Sequence, residues 1–206
     1  DVVKKIKYLI RKRYNLKNIK VGHAGTLDPL ASGLLIICTG KFTKKISEIQ
    51  DKRKIYTGII TLGGTTPSFD LETEIEKNYK TDHISEDLIK KTTTKFLGEI
   101  NQVPPIFSAL KKDGERLYEK ARRGEKIKIN SRKVTIYKFE SKLLHKVNVH
   151  FIIECSKGTY IRSIANDLGA ALNCGGYLSK LCRTDIGEFS LSNAMSINSF
   201  EDHINT

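Results

Sequence analysis

The sequence predicts an α+β fold, with a mixed, mainly antiparallel sheet flanked by helices, on three observations. Two strand-like runs, 134–144 and 147–155, stand two residues apart and read as a pair. Helical periodicity is confined to separated segments, 2–13, 85–96 and 160–172, instead of alternating regularly with strands. Breaks at Gly63-Gly64, Pro104-Pro105 and Gly175-Gly176 divide the chain irregularly. Hairpins mixed with isolated helices argue against a doubly wound parallel sheet. The 206 residues read as one domain, 1–206, able to bury about 70% of its unfolded surface.

Each element has its own reason. Val2, Val3, Ile6, Leu9 and Ile10 share one helical face, with Lys and Arg opposite. Residues 20–33 form a Gly-rich loop with a turn at Leu27-Asp28-Pro29, and Leu34 to Thr39 reads as a buried strand. A short helix is expected over 42–49, a second strand over 54–62 and a polar loop over 67–78. Ser85 before Glu86 and Asp87 is a helix start, and Gly98 a stop. Leu117 to Arg123 fits one or two basic helical turns. In the 147–155 strand, Val147, Val149, Phe151 and Ile153 alternate with Asn148, His150 and Glu154, as one buried face requires. A short strand near 178–183 and a helix near 197–204 close the chain.

Composition narrows the function. Thirty-six Lys and Arg against 23 Asp and Glu give a net charge of +13, which favours a polyanionic partner. A solvated basic surface is the plainer alternative. The longest apolar run, Leu34 to Cys38, is too short to span a bilayer, and no membrane partner is expected. Cys38, Cys155, Cys174 and Cys182 lack CxxC spacing and nearby His, so they read as idle thiols in a reducing, cytoplasmic setting, not as a metal site. Glu72, Glu74 and Glu76 read as a solvated face. The first residue is Asp1 and the one Met is Met195, so a trimmed start is expected.

One segment stands apart, Lys20 to Gly33. It carries a lone acid, Asp28, in a Gly-rich loop ahead of a buried strand. Such loops on rigid scaffolds hold catalytic groups, yet an Asx-type turn before Pro29 would also explain the acid. The residues alone leave both readings open. No P-loop, dinucleotide fingerprint or nucleophile elbow is present.

Gly22-His23-Ala24-Gly25-Thr26-Leu27-Asp28-Pro29-Leu30-Ala31-Ser32-Gly33 resembles the signature of the TruB family of pseudouridine synthases. Three further segments agree in order: Lys54-Ile55-Tyr56-Thr57-Gly58, Ser108-Ala109-Leu110-Lys111 with Gly114 and Leu117-Tyr118, and Cys155-Ser156-Lys157-Gly158-Thr159-Tyr160-Ile161-Arg162-Ser163. The resemblance implies a pseudouridine synthase-like catalytic fold with a basic RNA-gripping insertion at about 105–133. Residues 30–33 and the Ser108 insertion resemble the bacterial form. The family's leading strand with its Lys-Pro-x-Gly segment and its C-terminal PUA domain have no counterpart here.

Carried over, the resemblance makes Asp28 the catalytic carboxylate, Arg162 its partner, and Tyr56 the ring that stacks on a flipped base. Tyr160 and Leu181 would line that pocket and His23 would press on the RNA loop. Lys111 and Arg122 would grip RNA, with Lys157 and Arg183 extending the footprint. The implied reaction converts uridine to pseudouridine in tRNA, at uridine-55 of the T stem-loop. It is an isomerisation, so neither cofactor nor metal is expected; the chain is expected to act as a monomer. An arginine would hold Asp28 ionised and aimed in a dry pocket. Flipping costs a few kcal/mol, which stacking and wedging partly offset. A non-catalytic RNA-binding or RNA-folding module on the same scaffold is the alternative. A metal-dependent nuclease is third, and it lacks convergent carboxylates.

Overall fold

A computed structural model describes residues 2–125 and 127–205; Lys126, counted in the basic insertion, and both end residues lie outside it. Helix α1 (Val2–Arg13) buries Ile6, Leu9 and Ile10, as its spacing predicts. Strand β1 (Val21–His23) pairs antiparallel with β3 (Ile37–Thr39), so the Gly-rich segment leaves and returns to one place. Between them β2 (Ser32–Gly33) joins the main sheet. The expected strand over 34–39 is therefore paired only at its end, because residues 34–36 cross from one sheet to the other. A 3-10 turn and α2 (Ile46–Asp51) replace the helix expected over 42–49.

Strand β4 (Lys54–Leu62) is followed by a small ladder of β5 (Gly64–Thr65) with β6 (Lys77–Asn78). Helix α3 (Glu86–Thr93) starts where predicted, the Ser85 hydroxyl accepting from the Leu88 N–H at 3.2 Å. Strand β7 (Gly98–Gln102) was not expected from the sequence. The insertion holds a short hairpin, β8 (Lys111–Lys112) with β9 (Glu115–Arg116), then α4 (Leu117–Arg122). The predicted strand pair is β10 (Arg132–His145) and β11 (Asn148–Cys155). Helix α5 (Ile161–Ala171), β12 (Gly176–Ile186), β13 (Phe189–Ser190) and α6 (Ile197–Asn205) complete the chain.

The main sheet runs β13-β12-β4-β11-β10-β7, with β2 added to β12. Only the β2–β12 pairing is parallel among the described strands, so the sheet is mixed and mainly antiparallel. Its inner face brings Ile60, Val149, Phe151 and Ile153 against Ile164 and Leu168 of α5 and Ile89 of α3. Helix α5 sits directly on the start of β12: a Cβ on Gly169 would come within 2.1 Å of the Gly176 nitrogen. That packing fixes the last turn of α5, while Arg162 lies in its first. All four cysteines are free thiols. Among the described residues no helix is long and apolar enough to cross a membrane.

Candidate active site

The Gly-rich loop hangs between β1, β2 and β3 and brings Asp28 to the start of α5. Its anchor is a close backbone contact. A Cβ on Gly33 would lie 2.3 Å from the Arg183 carbonyl oxygen, and Gly33 has φ +105°, so glycine is required there. Arg162 donates from Nε to Asp28 Oδ2 at 2.9 Å and from Nη2 to Oδ1 at 2.8 Å. This bidentate pair leaves the carboxylate one orientation. Arg162 is 2% exposed, and its Nη1 donates to the Ser68 and Phe107 carbonyls at 3.2 and 2.9 Å. The Asp28 side chain keeps 31% exposure, so one side of it faces an open space. An arginine in the first turn of a helix is disfavoured by the helix dipole. Asp28, with buried Asp70 at 3.6 Å, offsets that cost.

The open space is a cleft of about 670 Å³, lined among others by Asp28, Tyr56, Tyr160, Leu181 and Arg132. The Tyr56 phenol is pushed up to about 12, mainly by burial, with the Arg183 guanidinium acting in the opposite direction. Lys54, also in the cleft wall, directs its ammonium to the Gln50 and Lys52 carbonyls, and burial lowers its pKa. A larger groove of about 950 Å³ lies between α1, α6 and the loop. Apolar side chains such as Ile6, Ile37 and Phe200 dominate it, so it offers little chemistry.

The cleft gathers Asp28, Tyr56, Tyr160, Leu181, Lys157 and Arg183, with Arg162 directly behind Asp28. His23, Lys111 and Arg122 are not in its lining. His23 sits on β1, its Nδ1 shut from solvent without a hydrogen-bond partner. Lys111 is exposed on the insertion hairpin, and Arg122 is exposed and paired with Glu72 at 3.3 Å. Glu72 is thus an ion-pair partner and not merely a solvated acid. The insertion's positive charge is partly neutralised within itself, by Lys120 with Asp113 and by Arg123 with Glu115 and Glu125.

Arg183 requires a correction. Expected in a surface footprint, it is 2% exposed. Its donors reach the carbonyls of Leu34 (2.9 Å), Gly25 (2.9 Å) and Thr26 (3.4 Å). A guanidinium so occupied clamps the loop from the cleft wall and is not the exposed cation that was expected. Sequence reasoning missed two further groups. Asp70 backs Arg162 from the segment expected to be a polar loop. Gln102 is fully buried, accepts from the Tyr160 N–H at 2.8 Å and donates to the Tyr160 carbonyl at 3.1 Å. Neither lies in a motif, and only tertiary burial reveals them.

Residues 11–161 match the family model described as TruB family pseudouridylate synthase (N terminal domain). A protein of Flavobacterium johnsoniae named tRNA pseudouridine synthase B is 57% identical over 205 residues, which is 99% of this chain and 90% of that protein. Its namesake in Phocaeicola vulgatus is 47% identical over 201 residues, 98% and 86% of the respective chains. Among solved structures, a Cbf5-Nop10-Gar1 complex aligns with TM-score 0.68 and 28% identity over 96% of this chain and 49% of that one. An H/ACA RNP bound to a substrate RNA containing 2'-deoxyuridine aligns with TM-score 0.67 and 26% identity, covering 97% and 48%. The chain therefore spans about half the length of those two structures' chains.

Proposed function

The chain belongs to the TruB family of pseudouridylate synthases, and we propose that it isomerises uridine to pseudouridine in tRNA, with uridine-55 of the T stem-loop as its target. One observation carries the reading: the Asp28 carboxylate is aimed by a buried arginine into a cleft walled by Tyr56, Tyr160 and Leu181. The family supplies the reaction class, and the geometry supplies roles suited to it.

The target nucleotide leaves its stack and enters the cleft, where the Tyr56 ring offers a flat face to the base. Asp28 then acts at the sugar. Either the carboxylate attacks C1′ or it assists removal of the 2′ proton; both routes break the N1–C1′ bond. The freed ring turns so that C5 bonds to C1′, which expels the carboxylate on the first route and is accompanied by return of the proton to C2′ on the second. The hydrogen on C5 leaves as a proton and N1 gains one, so atoms and electrons balance without redox chemistry. Arg162 holds Asp28 in line throughout, and the Arg183 clamp on three carbonyls keeps the loop from drifting. Tyr56 keeps its proton over the neutral range, since burial places its pKa at about 12.

The test is an unmodified tRNA transcript incubated with the protein and mapped nucleotide by nucleotide. A new C-glycoside at the T-loop uridine is expected. Tight tRNA binding with no pseudouridine at any position would leave only the non-catalytic module.

A further inference from the structure

We propose that Arg132 is the phosphate-binding residue of the cleft and takes a backbone phosphate adjacent to the target uridine. The inference rests on the isomerase reading above and adds to it a site for the substrate's charge.

Arg132 opens β10 and lines the same cleft as Asp28. Its guanidinium carbon stands 4.6 Å from the centre of the Tyr160 ring. The Gly158 turn lies beside it, where even a Cβ would come within 3.6 Å of Nη1. The planar group thus lies between a ring and a turn. Yet Nε and Nη2 are shut from bulk solvent and have no hydrogen-bond partner. That contrasts with Arg162 and Arg183, whose buried donors meet carboxylate or carbonyl oxygens. Other cleft cations are engaged: Lys157 with Asp51, Lys133 with Glu99, and Lys54 with two carbonyls.

Desolvated, unpaired guanidinium donors are costly. An anion in the cleft would satisfy them once a small turn of the side chain brings them to the cleft surface. The planar fork suits a phosphate, which can accept two parallel N–H bonds. RNA offers phosphate as its anionic group. Because Arg132 rests on Tyr160, a wall of the pocket proposed for the everted base, the phosphate it meets belongs to that nucleotide or its immediate neighbour.

The experiment uses the whole chain and a T-arm stem-loop RNA, in a series where one phosphate at a time is a neutral methylphosphonate. Binding is read directly for wild type, Arg132→Gln and Arg132→Lys, so turnover is not needed. Arg132→Gln should bind the unmodified RNA about 10- to 100-fold more weakly. It should also lower the slope of log affinity against log salt by about 0.7–0.9. One methylphosphonate beside the target uridine should weaken wild type and leave Arg132→Gln unaffected, with Arg132→Lys intermediate. Arg132→Gln should melt at or above wild type, since it removes an unpaired buried cation. Unchanged affinity in Arg132→Gln overturns the proposal. So does a loss that simply adds to that of every methylphosphonate, with a lowered melting point, because it marks a structural role. Failure of the isomerase reading shows differently, as wild type that yields no pseudouridine.

Discussion

Replacing Asp28 by asparagine separates chemistry from architecture. The amide keeps the size of the carboxylate and one acceptor, but its NH2 group faces one of the two Arg162 donors. One of the bonds at 2.8 and 2.9 Å is lost and the other loses its charge assistance. A charge-assisted bond contributes about 1.5–3 kcal/mol. With the Asp28 side chain 31% exposed, solvent reduces this to about 1–2 kcal/mol. Arg162 keeps the Ser68 and Phe107 carbonyls and nearby Asp70, so the protein stays folded. For a chain of this size each kcal/mol moves the melting point by about 2–4 °C, so a fall of about 2–8 °C is expected. Turnover should fall at least about a thousandfold, since the group that acts at C1′ or the 2′ proton is gone. Asp70→Asn is the control. It touches the same arginine from a buried position outside the cleft lining, so it should destabilise comparably yet keep the rate within about tenfold. Both quantities come from one preparation: tritium released from C5-labelled uridine in tRNA, and thermal melting. Wild-type turnover by Asp28→Asn, or equal inactivation by Asp70→Asn, would refute the assignment.

Three further outcomes are expected. Arg183→Lys can satisfy one of the three loop carbonyls, so it should cost about 2 kcal/mol or more and lower kcat with little change in RNA affinity. A lost affinity at unchanged kcat would restore Arg183 to the RNA footprint. Tyr56 bears on alkaline stability. Its pKa is about 12 when folded against 10.0 ordinarily, so the folded state holds the proton more tightly, and the associated stability is present below pH 10 and lost between pH 10 and 12. Urea titrations at pH 9, 10 and 11 should show a shallower decline for Tyr56→Phe than for wild type. Gln102→Leu removes a two-way clamp on the Tyr160 backbone and should destabilise by about 1–3 kcal/mol, measured by urea denaturation. A neutral effect would mean that this clamp carries little of the local order.

What the sequence made legible was local. The faces of α1 and β11, the Ser85 cap and the chain breaks follow from periodicity and turn chemistry, and each is where it was expected. Edge strand β7 was missed because Gly-Glu-Ile-Asn-Gln is mostly polar and shows no buried alternation. Strand β12 ran beyond its expected ends because bulges near Ser179 and Thr184 shift its register and hide the period of two. At the site, Asp28 and Arg162 stand 134 positions apart, and only a family resemblance brought them together before the fold did. The burial of Arg183 was not legible for a physical reason: charge in a sequence suggests surface, while a buried guanidinium among carbonyls leaves no local signature. The same limit applies to the insertion, where a count of cations does not show that Lys120, Arg122 and Arg123 already have acidic partners.

Those internal pairs bear on how RNA engages the chain. On the proposed reading, any of these cations that meets RNA first gives up an acidic partner, so the electrostatic gain would be smaller than the net charge suggests. The root of the insertion is fastened to the arginine motif at three points. Gln102 brackets the Tyr160 backbone, the Ser163 hydroxyl donates to the Val103 carbonyl at 2.7 Å, and Arg162 donates to the Phe107 carbonyl. Segment 102–107 therefore cannot move without moving Tyr160, Ser163 or Arg162. Any displacement of the insertion would therefore reach the residue that aims Asp28, while the opposite side of the carboxylate's loop is held by Arg183. The insertion and the loop that carries Asp28 thus share one set of hydrogen bonds, with two buried arginines holding that loop.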